Sequence, residues 1–178
     1  MAANRIRQRM RRWLRREDGT ASVEFVILFP VMMYLFLSAV ELGVYLMRET
    51  LLDRALDMNV RALRLGTMSP MTPDELKRRV CNDSLILRDC ETSITVELVP
   101  VSKTDWEFPD QRIACVNRDE DINPVLDFTP GSENEVMLVR ACIIADPFFS
   151  STPWVMQMPV DASGAYSIAT ASVFVNEP

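Results

Sequence analysis

Histidine is missing from all 178 residues of the sequence. With it go the commonest general base of enzyme sites and the commonest nitrogen ligand of metals. The four cysteines contain no Cys-x-x-Cys pair, so the usual spacing of a structural zinc site is missing too. The glycines build no Gly-rich phosphate loop. No serine or cysteine nucleophile motif is present. Carboxylates are plentiful, but they are scattered through polar segments where hydration accounts for them. One acidic stretch carries ligand spacing, with Asp119, Asp121 and Asn123 at alternate positions. Pro124 then stands where a calcium loop needs glycine, and Pro130 where it needs a bidentate glutamate. The stretch reads as a solvated acidic loop. These absences leave a protein that is not expected to be an enzyme and needs no cofactor or metal.

What is present is unevenly distributed. The formal net charge is -6, yet residues 1–18 hold seven arginines (Arg5, Arg7, Arg9, Arg11, Arg12, Arg15 and Arg16) against Glu17 and Asp18. The leader is therefore strongly positive and the body strongly negative. An apolar run separates them, which is the layout of a single-pass membrane protein whose arginines stay in the cytoplasm while the remainder is exported. Nucleic-acid binding is not expected, because the exported body is acidic and repels phosphate. All four cysteines (Cys81, Cys90, Cys115 and Cys142) follow the run and form an even set, as two disulfides in an oxidising compartment would. Three pairings are open; the favoured one links Cys81 with Cys90 and Cys115 with Cys142.

The uncharged stretch from Phe25 to Val40 has 16 residues, roughly 24 Å as a helix. It is bounded by Glu24 and Glu41, which places these carboxylates near opposite faces of a hydrocarbon core of roughly 30 Å. An ordinary cleaved signal peptide fits poorly: the run is long, and Ser38-Ala39-Val40-Glu41 is a weak small-x-small site. Helical patterning also continues past it. Val44, Met47, Leu51, Ala55, Met58, Ala62 and Leu65 recur at spacings of three and four, one face of a helix ending near Leu65, with Gly66 as terminator. Pro30 is expected to kink this helix or fray its first part.

The order of arginine-rich leader, Gly19, Thr20-Ala21-Ser22-Val23, Glu24, Phe25 and apolar helix resembles the class III signal of type IV pilins and pseudopilins. That resemblance implies cleavage by a membrane-embedded prepilin peptidase between Gly19 and Thr20. The apolar segment then stays with the mature protein, and Glu24 becomes its fifth residue. The physics is coherent: the cut creates an amine on Thr20 at the membrane edge, and Glu24 of a neighbouring subunit can neutralise it and set axial register. Gly19 leaves the cut bond without a side chain in the way. Within this class the chain resembles the TadE group of tight-adherence (Flp) pilus systems. The resemblance rests on Ala21-Ser22-Val23-Glu24-Phe25, Pro30, Glu41-Leu42-Gly43, the Cys81 and Cys90 pair before a strand, and Ala171-Ser172-Val173-Phe174-Val175-Asn176-Glu177-Pro178. It implies assembly roles for Glu24 and Phe25. The implied partners are the prepilin peptidase, other pilin-like subunits, the inner-membrane assembly platform and membrane lipid. The implied location is the bacterial inner membrane, N-terminus cytoplasmic and C-terminal domain periplasmic, with the extracellular pilus as a further destination. The rival is an uncleaved single-pass protein with a disulfide-bonded periplasmic interaction domain.

The expected domains are a leader at 1–19, a transmembrane helix at 20–47 and an extracytoplasmic domain at 48–178. In the last, Thr72-Pro73-Asp74-Glu75 reads as a capping box opening a short helix to about Cys81. Ser93 to Val99 alternates as a half-buried strand; Glu135 to Ile144 is more continuously apolar and suits a central strand; Tyr166 to Val175 is a third. Residues 102–112 and 117–134 read as polar connections. Pro147, Pro153 and Pro159 break up 146–164, where Phe148, Phe149 and Trp154 are core cover or a contact surface, core cover being the commoner outcome. The expected fold is α+β and pilin-like, a long N-terminal helix (membrane span continuing into an amphipathic helix) packed on a small antiparallel sheet.

Overall fold

The structure, a computed structural model, describes residues 20–68, 70–84, 87, 89–109, 111–118, 124–152, 154–161 and 163–177. Gly19 and the basic leader lie outside the described residues, as does the acidic stretch at 119–123. In chain order the elements are helix α1 (Thr20–Arg64), helix α2 (Pro73–Ser84), a single turn α3 (Cys90–Ser93), strand β1 (Ile94–Val101), strand β2 (Val136–Ala145), a 3-10 turn (Val155–Gln157) and strand β3 (Tyr166–Val175).

The 45 residues of α1 make a rod about 67 Å long. Pro30 lies inside it without ending it, although its ring removes one backbone donor. The rod stops where glycine allows it to. Gly66 takes a φ of 61°, its N–H reaches Leu63 O at 3.0 Å, and the Thr67 N–H reaches Ala62 O at 3.0 Å. Those two bonds form a Schellman cap, which a side chain at Gly66 would strain.

Helix α2 starts as its sequence proposes, but only half of the capping box forms. The Glu75 N–H donates to Thr72 Oγ1 at 3.3 Å. The Glu75 carboxylate turns away from the Thr72 N–H, which donates to Pro70 O instead. It accepts from Arg79 Nε at 2.7 Å and pairs with Arg78. Hydrogen bonds from Arg79 and then Arg78 hold the Glu75 carboxyl below its ordinary range. A lowered folded pKa gives stability that is present above the unfolded value and lost as pH falls through the folded one. Melting temperature should therefore drop more steeply between neutral and about pH 3 in the wild type than in Glu75→Gln. Parallel melting curves for the two chains across that range check this.

The sheet is antiparallel in the order β1-β2-β3, so β2 is central, in keeping with its unbroken apolar sequence. Alternation along each strand gives two faces. Val96, Leu98, Met137, Val139, Ile143 and Ile168 point to the helix side and join Leu52, Leu56 and Leu63 of α1 and Leu76 and Val80 of α2 in the main core. Arg140 and Cys142 point the other way. Pro100 is tolerated because β1 is an edge strand, and Leu98 is bridged on its outer side by Phe128.

The second face explains what residues 111–118 do. Between the polar connections expected at 102–112 and 117–134, Ile113 and Val116 are buried. Thr95 Oγ1 donates to Ala114 O at 2.8 Å and Arg140 to Gln111 O at 2.7 Å. Arg140 also pairs with its cross-strand neighbour Glu97, and both are nearly enclosed. The Cys115–Cys142 disulfide ties this cover to the central strand, and Cys81–Cys90 joins α2 to α3, the favoured pairing. Closing a separation of 27 residues constrains the unfolded chain by about 3.5 kcal/mol. Cys115→Ser/Cys142→Ser should lose about that much in denaturant melts of the detergent-solubilised protein, more than Cys81→Ser/Cys90→Ser with its shorter loop.

The buried stripe of α1 is rotated from the expected one and shares Ala55 with it. Met47, Met58 and Leu65 are exposed, whereas Glu41, Leu52, Leu56, Asn59 and Leu63 are buried beside Ala55. The stripe was drawn through apolar residues only. The helix instead turns polar residues inward where they have partners: Asn59 Nδ2 donates to Asp83 Oδ2 at 2.8 Å and to Ala55 O at 2.9 Å.

Candidate functional site

The candidate site is the stem, the part of α1 before the domain grips it, together with the loop that grips it. The helix from Ser22 carries an 18-residue window of mean hydropathy 2.2, long and apolar enough to cross a membrane. Its side chains have little to pack against within the chain: Phe25, Val26, Ile27, Met32, Leu35 and Phe36 are each more than half exposed. A surface this apolar on a soluble protein would be an aggregation liability; it is stable against lipid or other stems.

Thr20 is the first residue of α1. Glu24 is exposed one turn later and forms no hydrogen bond or ion pair among the described residues. Phe25 stands beside it, its ring 5.1 Å from that of Phe29. The structure thus brings Glu24 and Phe25 together on the outer surface of the stem. The four cysteines lie in the domain that follows the stem, in two separate disulfides.

Glu41 behaves differently from Glu24, and the sequence did not reveal how. It is wholly buried. Its carboxylate accepts the Phe148 N–H at 3.0 and 3.2 Å and the Phe149 N–H at 3.0 Å. A carboxylate taking backbone donors in this way makes charge-assisted bonds, stronger than neutral ones. Seven positions earlier, Tyr34 donates its hydroxyl to Ser151 O at 2.8 Å. Seven positions later, Arg48 donates to Asp146 O at 2.8 Å and to Tyr166 Oη at 2.6 Å, and lies 5.1 Å from the centre of the Phe148 ring. Burial raises the Tyr166 phenol, and the Arg48 charge opposes that rise. Tyr34, Glu41 and Arg48 sit at multiples of seven, hence on one helix face. Together they clasp residues 146–151 like a collar.

The collar holds its own shape. The Thr152 N–H and hydroxyl both go to Phe149 O, at 3.1 and 3.0 Å, and the Met156 N–H goes to Thr152 O at 3.1 Å. Thr152 and Val155 are buried, so they provide the core cover. Phe148, Phe149 and Trp154 do not: they are 63%, 36% and 38% exposed. The expectation that they cover the core is overturned, because the backbone turn that reaches Glu41 directs their rings outward. The only signal in the sequence was the spacing of Tyr34, Glu41 and Arg48 within a helix, which is invisible until the loop is placed beside it.

Among the described residues no group of three acidic or cysteine side chains is arranged to hold a metal ion. No curated protein and no solved structure matches the chain. A match does exist for the stem and its continuation into the domain, the same stretch that bears Glu24, Pro30, Glu41 and Arg48: residues 19–61 are similar to the family whose model is described as TadE-like protein.

Proposed function

We propose that this protein is a minor pilin-like (pseudopilin) component in assembly of Tad (Flp) pili. It is made as a single-pass inner-membrane precursor with its arginines in the cytoplasm and its disulfide-bonded domain in the periplasm. A prepilin peptidase removes residues 1–19 by cutting between Gly19 and Thr20. The mature chain keeps the apolar stem and uses Glu24 to meet the new Thr20 amine of a neighbouring pilin-like subunit, with Phe25 packing alongside. The assembly platform and the lipid around it are the remaining partners.

The observation that carries this reading is Glu24: an exposed carboxylate on an apolar helix, without a partner among the described residues, inside the stretch that fits the TadE-like model. A charge there is unfavourable against lipid unless another molecule neutralises it. The domain's contribution is rigidity, since the helix runs without a break from the stem into the core.

Co-expression with a prepilin peptidase tests the processing step. The wild-type chain should shift to higher mobility, and Gly19→Ala should slow or block the shift, because the added methyl crowds the bond to be cut. An uncleaved membrane protein with a periplasmic interaction domain would show no shift in either chain.

A further inference from the structure

The collar loop overlaps the stem in a way that has a consequence at the membrane. From Pro147 to Val160 the chain carries no charged residue, and charges resume at Asp146 and Asp161. Phe148, Trp154, Met156 and Val160 on this loop are exposed. The loop also extends along α1 towards the N-terminus as far as Tyr34, which lies within the apolar run.

Length decides what this means. If the loop stayed outside the bilayer, only the stem up to Met33 would be available to cross it. From Thr20 to Met33 a helix measures about 21 Å, short of the roughly 30 Å hydrocarbon core. Starting instead at Phe25, the first residue after Glu24, only about 14 Å remains. A stem that spans must therefore carry residues 34–40 into the outer leaflet, and the loop bonded to them goes with it.

The loop is built to tolerate that place. The Phe148 and Phe149 N–H groups are taken by Glu41, Ser151 O by Tyr34, and Phe149 O by Thr152. This internal pairing lowers the cost of bringing irregular backbone to the membrane boundary, since unpaired backbone groups are not tolerated against hydrocarbon. Exposed aromatic rings suit the boundary between hydrocarbon and headgroups. Arg48 and Arg118 lie on the far side of Glu41 from the stem, with Arg118 bonded to Asp146 at 2.6 Å.

We propose that residues 147–152 and 154–160 form a lipid-contacting foot, seated in the periplasmic leaflet against the stem and setting the height and tilt of the exported domain above the membrane. This rests on the single-pass reading of the stem. Its exposed rings meet lipid acyl chains and headgroups, and Glu41 is the internal fastener that keeps the foot closed.

The test uses the full chain reconstituted into phosphatidylcholine–phosphatidylglycerol vesicles, with single tryptophans as depth reporters. Trp13→Phe/Trp106→Phe leaves Trp154 in the foot. Trp13→Phe/Trp154→Phe leaves Trp106, which follows the end of β1 paired with Val136, at the opposite pole of the sheet. Phe29→Trp in a chain lacking the other three reports the stem. Lipids bearing a quencher near the headgroup end of the acyl chain should dim Trp154 and leave Trp106 unchanged, whereas aqueous acrylamide should dim Trp106 far more than Trp154. The stem reporter should respond to a quencher placed deeper in the chain. If the stem reporter is quenched by lipid but Trp154 is dimmed only by acrylamide, the foot is wrong and the span stands. If Trp154 is shielded from both quenchers, another subunit covers it, and the lipid assignment is overturned. If no lipid quencher reaches the stem reporter, the single-pass reading itself fails, and the foot with it.

Discussion

Glu24→Ala should be processed at close to the wild-type rate and yet fail to assemble. In the proposed processing the cut falls after Gly19, five positions before Glu24, so the bond to be cut and the leader are untouched by the change. Assembly is different. A subunit whose Thr20 amine enters an apolar environment needs an opposite charge close by. At 4 Å, with an effective dielectric constant of about 20, that attraction is worth about 4 kcal/mol. Removing one partner from such a pair leaves the other charge uncompensated, which costs about 3–5 kcal/mol. Repeated at each contact between subunits, a loss of this size removes stable association. Glu24→Gln should fail in the same way, since it keeps the shape of the side chain and loses only the charge. The readout is the amount of this protein recovered with sheared pili and with other pilin-like subunits after crosslinking, compared with the cleaved pool in the membrane. Normal piliation and normal crosslinking in Glu24→Ala would remove the register role and leave the carboxylate as a bystander beside the arginines.

Glu41→Ala should open the collar and leave the sheet intact. The carboxylate is the acceptor for the Phe148 and Phe149 N–H groups. Truncation leaves two donors without their acceptor in a part-buried site. Each such loss costs about 1–3 kcal/mol, and a total near 3 kcal/mol corresponds to roughly a hundredfold rise in local opening. Amide hydrogen exchange at Phe148 and Phe149 should accelerate by about that factor, while amides of β2 stay as protected as before, because the core of Leu52, Leu56, Val139 and Ile143 is not touched. Glu41→Gln is expected to fall between the two, its carbonyl oxygen keeping an acceptor while its amide group faces the same donors. Unchanged exchange at both phenylalanines in Glu41→Ala would mean that the loop is held by its apolar contacts alone.

The parts of this fold that sequence reasoning reached are those where local chemistry decides. Thr72 before Pro73, Gly66 after Arg64 and the alternation of Ile94, Val96 and Leu98 each impose a backbone state within a few residues, and the helix starts, caps and strands follow. The central place of β2 was legible because a strand buried on both faces cannot alternate. The separate membrane-capable stem was legible from hydropathy alone.

What stayed hidden depends on residues far apart in sequence. Glu41 meets Phe148 across 107 positions, and nothing in either neighbourhood announces the other. A glutamate at the end of an apolar run reads as the end of a membrane span, so its burial inside the collar had no local signature. The same limit rotated the buried face of α1: Asn59 faces inward because Asp83 waits there, and no period in the helix itself says so. Ile113 and Val116 fall between the two stretches read as polar connections, 102–112 and 117–134, in a piece too short to announce an element. They become core only when Cys115 fastens them to Cys142. In the stem the reverse holds. Glu24 was singled out in the sequence by its incongruity, and the structure leaves it exposed, without a partner among the described residues.

The most direct test is the identity of the first residue in protein extracted from membranes of cells with an active maturation system. N-terminal sequencing or intact mass should give a chain beginning at Thr20, shorter by the whole arginine-rich leader, with the apolar stem retained. A chain that still begins at Met1 in those cells, or one cut after the stem, would contradict the account.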